Sequence, residues 1–104
     1  MRGEIYELPR PRNATGREQQ GNRYCVVVQN SNLPLSTWVI CPTSTQARPA
    51  SWRAEIEIDD TKTLVLTEQV TAVDPERLGK LVGYVTASEM QAINRGLRIA
   101  LDLP

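Results

Sequence analysis

The stretch Gly16-Arg17-Glu18-Gln19-Gln20-Gly21-Asn22-Arg23-Tyr24-Cys25-Val26-Val27-Val28-Gln29-Asn30 joins a polar segment to an apolar one, with an arginine at the junction. The first half holds two glycines and three side-chain amides, a loop composition rich in hydrogen-bond donors and acceptors. The second half is β-branched and apolar, as a buried strand should be. Arg23 therefore stands at the mouth of a strand, with its charge facing solvent and a rigid base behind it.

Upstream, residues 3–8 alternate, with Ile5 in opposite phase to Tyr6 and Leu8, and read as a short first strand. Pro9 and Pro11 end it, and a loop of about 14 residues, carrying Arg10, Arg12 and Arg17, runs to Asn22. Loops of that length in a compact domain tend to carry function.

Downstream, residues 24–29 form the second strand, 30–36 a turn region and 37–41 the third strand, closed by Pro42. Thr43-Ser44-Thr45-Gln46 follows as a hydroxyl-rich turn. A hairpin centred on Leu33 sets Arg23 opposite Thr43 and Cys25 opposite Cys41. A slip of one residue would undo both pairings.

Further on, residues 55–58 alternate as a half-exposed strand, and 59–62 form a turn. Residues 64–73 are a β stretch bent near Glu68. Asp74-Pro75-Glu76-Arg77 reads as an N-cap, a first-turn proline and one short helical turn. Residues 80–85 give the last strand, and Thr86-Ala87-Ser88-Glu89 fits a capping box. The helix after it lines up Met90, Ile93, Leu97 and Leu101 on one face, as a lid on the sheet, and Gly96 weakens it by roughly 1 kcal/mol relative to alanine.

The 104 residues suffice for one domain with a modest core, and neither repeat nor linker divides residues 1–104. With no Phe, that core is built from Val, Ile and Leu. The overall charge of zero hides an asymmetry: residues 1–53 carry seven arginines against three glutamates, and residues 54–104 five basic against nine acidic side chains. A basic half suits an anionic partner. The absence of His excludes a His-based triad or relay and removes the commonest transition-metal ligand. Two cysteines are too few for a zinc site and do not suggest a secreted disulfide scaffold. No apolar run suggests a signal peptide or membrane span, so the expected compartment is the cytoplasm.

Taken together, the chain resembles the MazF/PemK (Kid) family of toxin endoribonucleases. Five pieces carry the resemblance: the opening R-G-E-I-Y, the loop G-R-E-Q-Q-G-N-R, the strand V-V-V-Q-N, C-P-T-S after strand three, and L-T-E-Q-V-x-x-V-D-x-x-R-L. The family pattern follows its arginine with proline, where this chain has Tyr24. The resemblance implies a mainly β, SH3-like, strongly curved antiparallel sheet capped by a C-terminal helix. It also implies a homodimer that cuts single-stranded RNA without a metal or other cofactor, and an antitoxin that lays a disordered segment into the RNA groove. That antitoxin segment should be acidic, to answer the basic half.

By the same resemblance Arg23 and Thr43 are the catalytic pair. The reaction uses the RNA's own 2′-OH and leaves a 2′,3′-cyclic phosphate and a 5′-OH. A guanidinium, charged at any ordinary pH, suits stabilisation of the phosphorane and proton donation to the leaving oxygen better than general-base duty. Thr43, with Ser44 beside it, would bond a non-bridging phosphate oxygen. Glu18 is the one carboxylate of the loop and the one candidate there for taking the 2′-OH proton. Glu18, Gln19, Gln20, Asn22 and Asn30 offer partners to base edges, and Arg10, Arg12 and Arg17 to phosphates. Gln69 is a groove contact by resemblance. Trp52, in a loop, is the stacking candidate, while Trp38, inside an apolar strand, belongs to the core or a dimer interface.

Two other readings share the fold. A gyrase-poisoning toxin of the CcdB type would not need the Arg23 and Thr43 pair. A non-catalytic SH3-like module for proline-rich ligands would need an aromatic-lined groove, which five aromatic residues supply poorly.

Overall fold

A computed structural model describes residues 1–9 and 23–104 of the chain. Seven strands and one helix follow in the order β1 (Glu4–Glu7), β2 (Tyr24–Val27), β3 (Trp38–Ser44), β4 (Arg53–Ile58), β5 (Thr61–Leu66), β6 (Thr71–Val73), β7 (Leu81–Tyr84) and α1 (Ala87–Leu101). Single 3₁₀ turns, Thr67–Gln69 and Pro75–Arg77, flank β6. All pairings are antiparallel, and the sheet runs β4-β5-β3-β2-β1-β7. β3 is the bend of the sheet. Its first half, through Ile40, pairs with β6, and its last residues, Thr43 and Ser44, pair with β5.

That change of partner explains how Pro42 can sit inside a strand it was expected to close. Proline lacks a ladder donor. Here it falls between the end of the β6 ladder and the start of the β5 ladder, and β3 continues to Ser44. Thr43 and Ser44 are consequently strand residues and not part of a turn.

The β2–β3 hairpin differs from expectation by one residue. Cys25 pairs with Pro42, Val26 with Cys41 and Val27 with Ile40. Cys25 and Cys41 therefore lie on opposite faces of the sheet, in separate apolar clusters. The reason is a missing signal. Register is pinned by hydrophobic alternation, but residues 25–28 are buried on both faces, so either register satisfies the pattern. The Gln29 side chain extends the hairpin instead, accepting the Val39 N–H through Oε1 at 3.0 Å.

One face of the sheet carries the main core: Ile5, Val26, Val28, Cys41, Ala54, Ile56, Ile58 and Val65, covered by Ile93 of α1. The other gathers Cys25, Val27 and Ile40 with Tyr6, Leu8 and Trp38. The opposite phases of Ile5 and Tyr6 thus serve two clusters, as their alternation implied. Trp38 sits against Tyr6 with ring centroids 5.6 Å apart. In β4 the alternation is equally direct, with Ala54, Ile56 and Ile58 buried and Glu55 and Glu57 exposed.

The helix begins on a capping box. The Thr86 hydroxyl accepts from the Glu89 N–H at 3.0 Å, and Glu89 Oε1 accepts from the Thr86 N–H at 2.8 Å. The other carboxylate oxygen of Glu89 accepts the Glu57 N–H at 2.9 Å, tying the helix start to β4. Ile93 is fully buried, and Met90 and Leu97 pack against the core. Leu101, the last residue of α1 before the left-handed C-cap Asp102 (φ 57°), is 49% exposed and does not join them. Gly96 has a packing role. A Cβ there would collide with the Trp52 carbonyl oxygen and approach Thr67 Cγ2 to 3.0 Å. The missing side chain lets the helix lie directly on the chain entering β4.

Candidate active site

A cleft of about 460 Å³ opens where β2, β3 and the β4–β5 hairpin meet. Among the described residues its lining comprises Arg23 and Tyr24 from the start of β2, Thr43 and Ser44 from the end of β3, and Thr45 just beyond. The β4–β5 hairpin adds Ile58, Asp59, Thr61, Thr63 and Leu66. Ile58 and Leu66 supply apolar surface. The rest supply one cation, one carboxylate and a row of hydroxyls.

Arg23 is half-buried and sits just ahead of β2. Its carbonyl oxygen accepts the Leu8 N–H at 2.8 Å, which ties its backbone to the end of β1. Thr43 is 8% exposed and pairs across the sheet with Val65. Its hydroxyl donates to the Tyr24 carbonyl oxygen at 3.0 Å. The Thr43 hydroxyl thus meets the backbone of Tyr24, and Arg23, expected directly opposite Thr43, reaches the same cleft from one position earlier. Ser44 Oγ accepts from the backbone N–H groups of Gln46 and Ala47, both at 3.0 Å. Its lone pairs turn the chain out of β3, and its own hydrogen is left to donate.

Three other residues singled out in the sequence lie outside this lining. Asn30 is exposed beyond the opposite end of β2, and its Oδ1 accepts the Asn32 N–H at 2.8 Å in a local turn. Trp52 is 36% exposed beside the start of β4, and its carbonyl accepts the Thr67 hydroxyl. Gln69 is exposed in the 3₁₀ turn after β5. Arg10, Arg12, Arg17, Glu18, Gln19, Gln20 and Asn22 lie outside the described residues.

The cleft also gains residues that sequence reading passed over, namely Tyr24, Asp59, Thr61 and Thr63. The hairpin residues reach it through the β5–β3 pairing, a contact between distant parts of the chain that no local pattern announces. Outside the cleft, one ion pair and two thiols stand out among the described residues. Glu68 receives Arg53, with Nη2 to Oε2 at 2.5 Å. Those hydrogen bonds hold the Glu68 carboxyl below its ordinary range and raise the guanidinium of Arg53. Burial pushes the thiol of Cys25 up to about 11 and that of Cys41 to about 12. Neither is a thiolate near neutrality.

Comparison with known proteins adds a family. The family model described as "PemK-like, MazF-like toxin of type II toxin-antitoxin system" matches residues 1–101. A candidate toxin of Mycobacterium tuberculosis is 33% identical over 104 residues, covering 99% of this chain and 98% of its own. The endoribonuclease MazF of Staphylococcus saprophyticus is 27% identical over 110 residues, covering 98% of this chain and 91% of its own. Among solved structures, a mycobacterial endoribonuclease in complex with its cognate antitoxin shares the fold with a TM-score of 0.80. It is 24% identical, and the alignment covers 100% of this chain and 96% of that one. The chain belongs to the family of PemK-like, MazF-like toxins of type II toxin–antitoxin systems.

Proposed function

We infer that the protein is the endoribonuclease of a toxin–antitoxin pair, cutting single-stranded RNA at the cleft that Arg23 and Thr43 share. The observation that carries this reading is that both line one cleft, Arg23 from just ahead of β2 and Thr43 from the end of β3, 20 positions apart in the chain. The naming of a MazF relative as an endoribonuclease supports it. A gyrase-poisoning toxin of the same fold would have no use for a cation and a hydroxyl in one cleft.

The reaction needs only the RNA, the protein and solvent water. The 2′-oxygen attacks the adjacent phosphorus while its proton passes to water. The bond from phosphorus to the 5′-oxygen breaks, and that oxygen takes up a proton. A 2′,3′-cyclic phosphate and a 5′-OH result. Negative charge builds on the non-bridging oxygens in the transition state, where a guanidinium's planar fork bonds two of them. Arg23 fills that role and donates the proton that the departing 5′-oxygen takes up, regaining one from water. The hydroxyls of Thr43 and Ser44 bond the same phosphate.

An antitoxin is the second partner. The mycobacterial neighbour was solved with its own, and here the basic half of the chain suits an acidic, partly disordered segment. Two chains related by a twofold axis would join their clefts into one groove long enough for several nucleotides. The test is direct. Purified protein is incubated with mixed RNA in EDTA, and the new ends are mapped. Cutting with 5′-OH ends is expected. Loss of cutting in EDTA, or 5′-phosphate ends, would contradict the reading.

A further inference from the structure

The cleft contains a group that phosphate binding does not use. Asp59 is the one carboxylate among the described lining residues, and a carboxylate repels a phosphodiester. It stands at the tip of the β4–β5 hairpin, reached from Arg23 only by crossing β3 and β5. The backbone that carries it is fixed. Ile58 pairs with Thr61 to close a two-residue turn, in which Asp59 and Asp60 have φ of 51° and 62°. The Thr61 hydroxyl donates to the Asp59 carbonyl at 3.4 Å, and the Thr63 hydroxyl to the Thr61 carbonyl at 3.1 Å. The turn needs residues that tolerate a left-handed backbone, which Asn and Gly do at least as well as Asp. The negative charge is not explained by the turn.

A carboxylate offers two acceptor oxygens side by side. Among the four RNA bases, guanine alone presents two adjacent donors on its Watson–Crick edge, N1–H and the N2 amino group. Adenine and cytosine set one amino donor beside a ring-nitrogen acceptor, and uracil sets one N–H between two carbonyls. The surroundings suit a base. Ile58, Leu66 and the partly buried Tyr24 give flat or apolar surface, and about 460 Å³ falls within the range of small-molecule sites.

We propose that Asp59 reads a guanine beside the scissile phosphate and so limits where the toxin cuts. The proposal rests on the nuclease reading above. Asp59 acts here as a specificity residue, with the phosphate chemistry left to Arg23 and Thr43.

The test maps cut sites in mixed RNA for the wild type, Asp59→Asn and Asp59→Gly, and measures kcat/KM on one preferred oligonucleotide in which guanine is replaced by inosine. Inosine keeps N1–H and lacks the amino group. Both variants suit the turn, and circular dichroism checks that they are folded. Wild-type cuts should cluster at one guanine position, and inosine there should lower kcat/KM roughly tenfold. Both variants should lose the guanine preference by a similar factor, with kcat/KM on the guanine oligonucleotide falling about tenfold, as it does for the wild type on inosine. Asp59→Asn should cut with little base preference, because an amide sets one donor beside one acceptor and finds a matching edge on any of the four bases. Wild-type cutting with no guanine in common, or an unchanged preference in both variants, overturns the proposal. So does a variant that binds RNA normally but cuts nowhere, since Asp59 would then be a proton acceptor. A wild type that cuts no RNA overturns the nuclease reading itself, and this proposal with it.

Discussion

The hydroxyl of Thr43 donates its hydrogen to the carbonyl oxygen of Tyr24, 3.0 Å away on the neighbouring strand. A hydroxyl has one hydrogen to give. In this arrangement Thr43 turns only lone pairs toward the cleft, which a phosphate oxygen would not accept. Bonding the phosphate requires the hydroxyl hydrogen to swing about the Cβ–Oγ bond, which releases Tyr24. The bond given up is worth about 0.5–1.5 kcal/mol net, so a charged phosphate, which makes stronger hydrogen bonds, can displace it. Thr43 thereby joins β2 to β3 at rest, and on the proposed nuclease reading it would serve the phosphate when RNA is bound.

This double role separates two substitutions. Thr43→Val keeps the shape and removes the hydroxyl. It should fold, lose about 1 kcal/mol of stability, and cut RNA on the order of 10²-fold more slowly. Thr43→Ser keeps the hydroxyl and should retain most of the cutting. Urea unfolding and single-turnover kinetics on the same preparations measure both effects. Equal activity in the Val and Ser variants would remove Thr43 from the chemistry.

The two thiols give a prediction about reactivity. Cys25 and Cys41 are buried on opposite faces of the sheet and held up at about 11 and about 12. Neither should react with a thiol reagent at pH 7.5 in the native protein, and both should in urea. The sign of the pH dependence follows. Between the ordinary thiol range and these raised values, the folded state holds protons that the unfolded state has released. The thiols' contribution is therefore complete below about pH 8 and is lost as pH rises toward 11–12. Replacing both with Val should leave RNA cutting standing. A fast-reacting native thiol would refute the burial.

Gly96 predicts a reversal of helix propensity. In an exposed helix Gly→Ala gains about 1 kcal/mol. Here the new methyl would meet the Trp52 carbonyl oxygen and Thr67 Cγ2. Overpacking of that kind costs about 1–3 kcal/mol, so Gly96→Ala should lower the urea midpoint. A raised midpoint would show that the helix does not lie this close to the chain entering β4.

What could be read in the sequence were the features whose cause is local. The Thr86–Glu89 capping box, the Asp74-Pro75 turn and the alternation of β4 each follow from a few neighbouring residues, and each is present. The β2–β3 register was not readable, because residues 25–28 are buried on both faces and either pairing satisfies them. Pro42 misled for a related reason. It is tolerated only because β3 changes partners beside it, a fact of the whole sheet. Arg23 and Thr43 were singled out through the order of short motifs and both line the cleft, whereas Asp59 reaches it through a pairing of distant strands and left no local trace.

The central claim is that Arg23 stabilises the transition state at this cleft. Its most direct test compares RNA binding with single-turnover cleavage for the wild type, Arg23→Lys and Arg23→Ala. Arg23 lies ahead of β2 and is only half-buried, so both variants should fold. Cleavage should fall on the order of 10²–10³-fold in Arg23→Ala while binding weakens far less, because the lost contact strengthens as charge develops. Lysine should rescue little, since it keeps the charge and lacks the fork. Cleavage by Arg23→Ala at close to the wild-type rate would contradict the account.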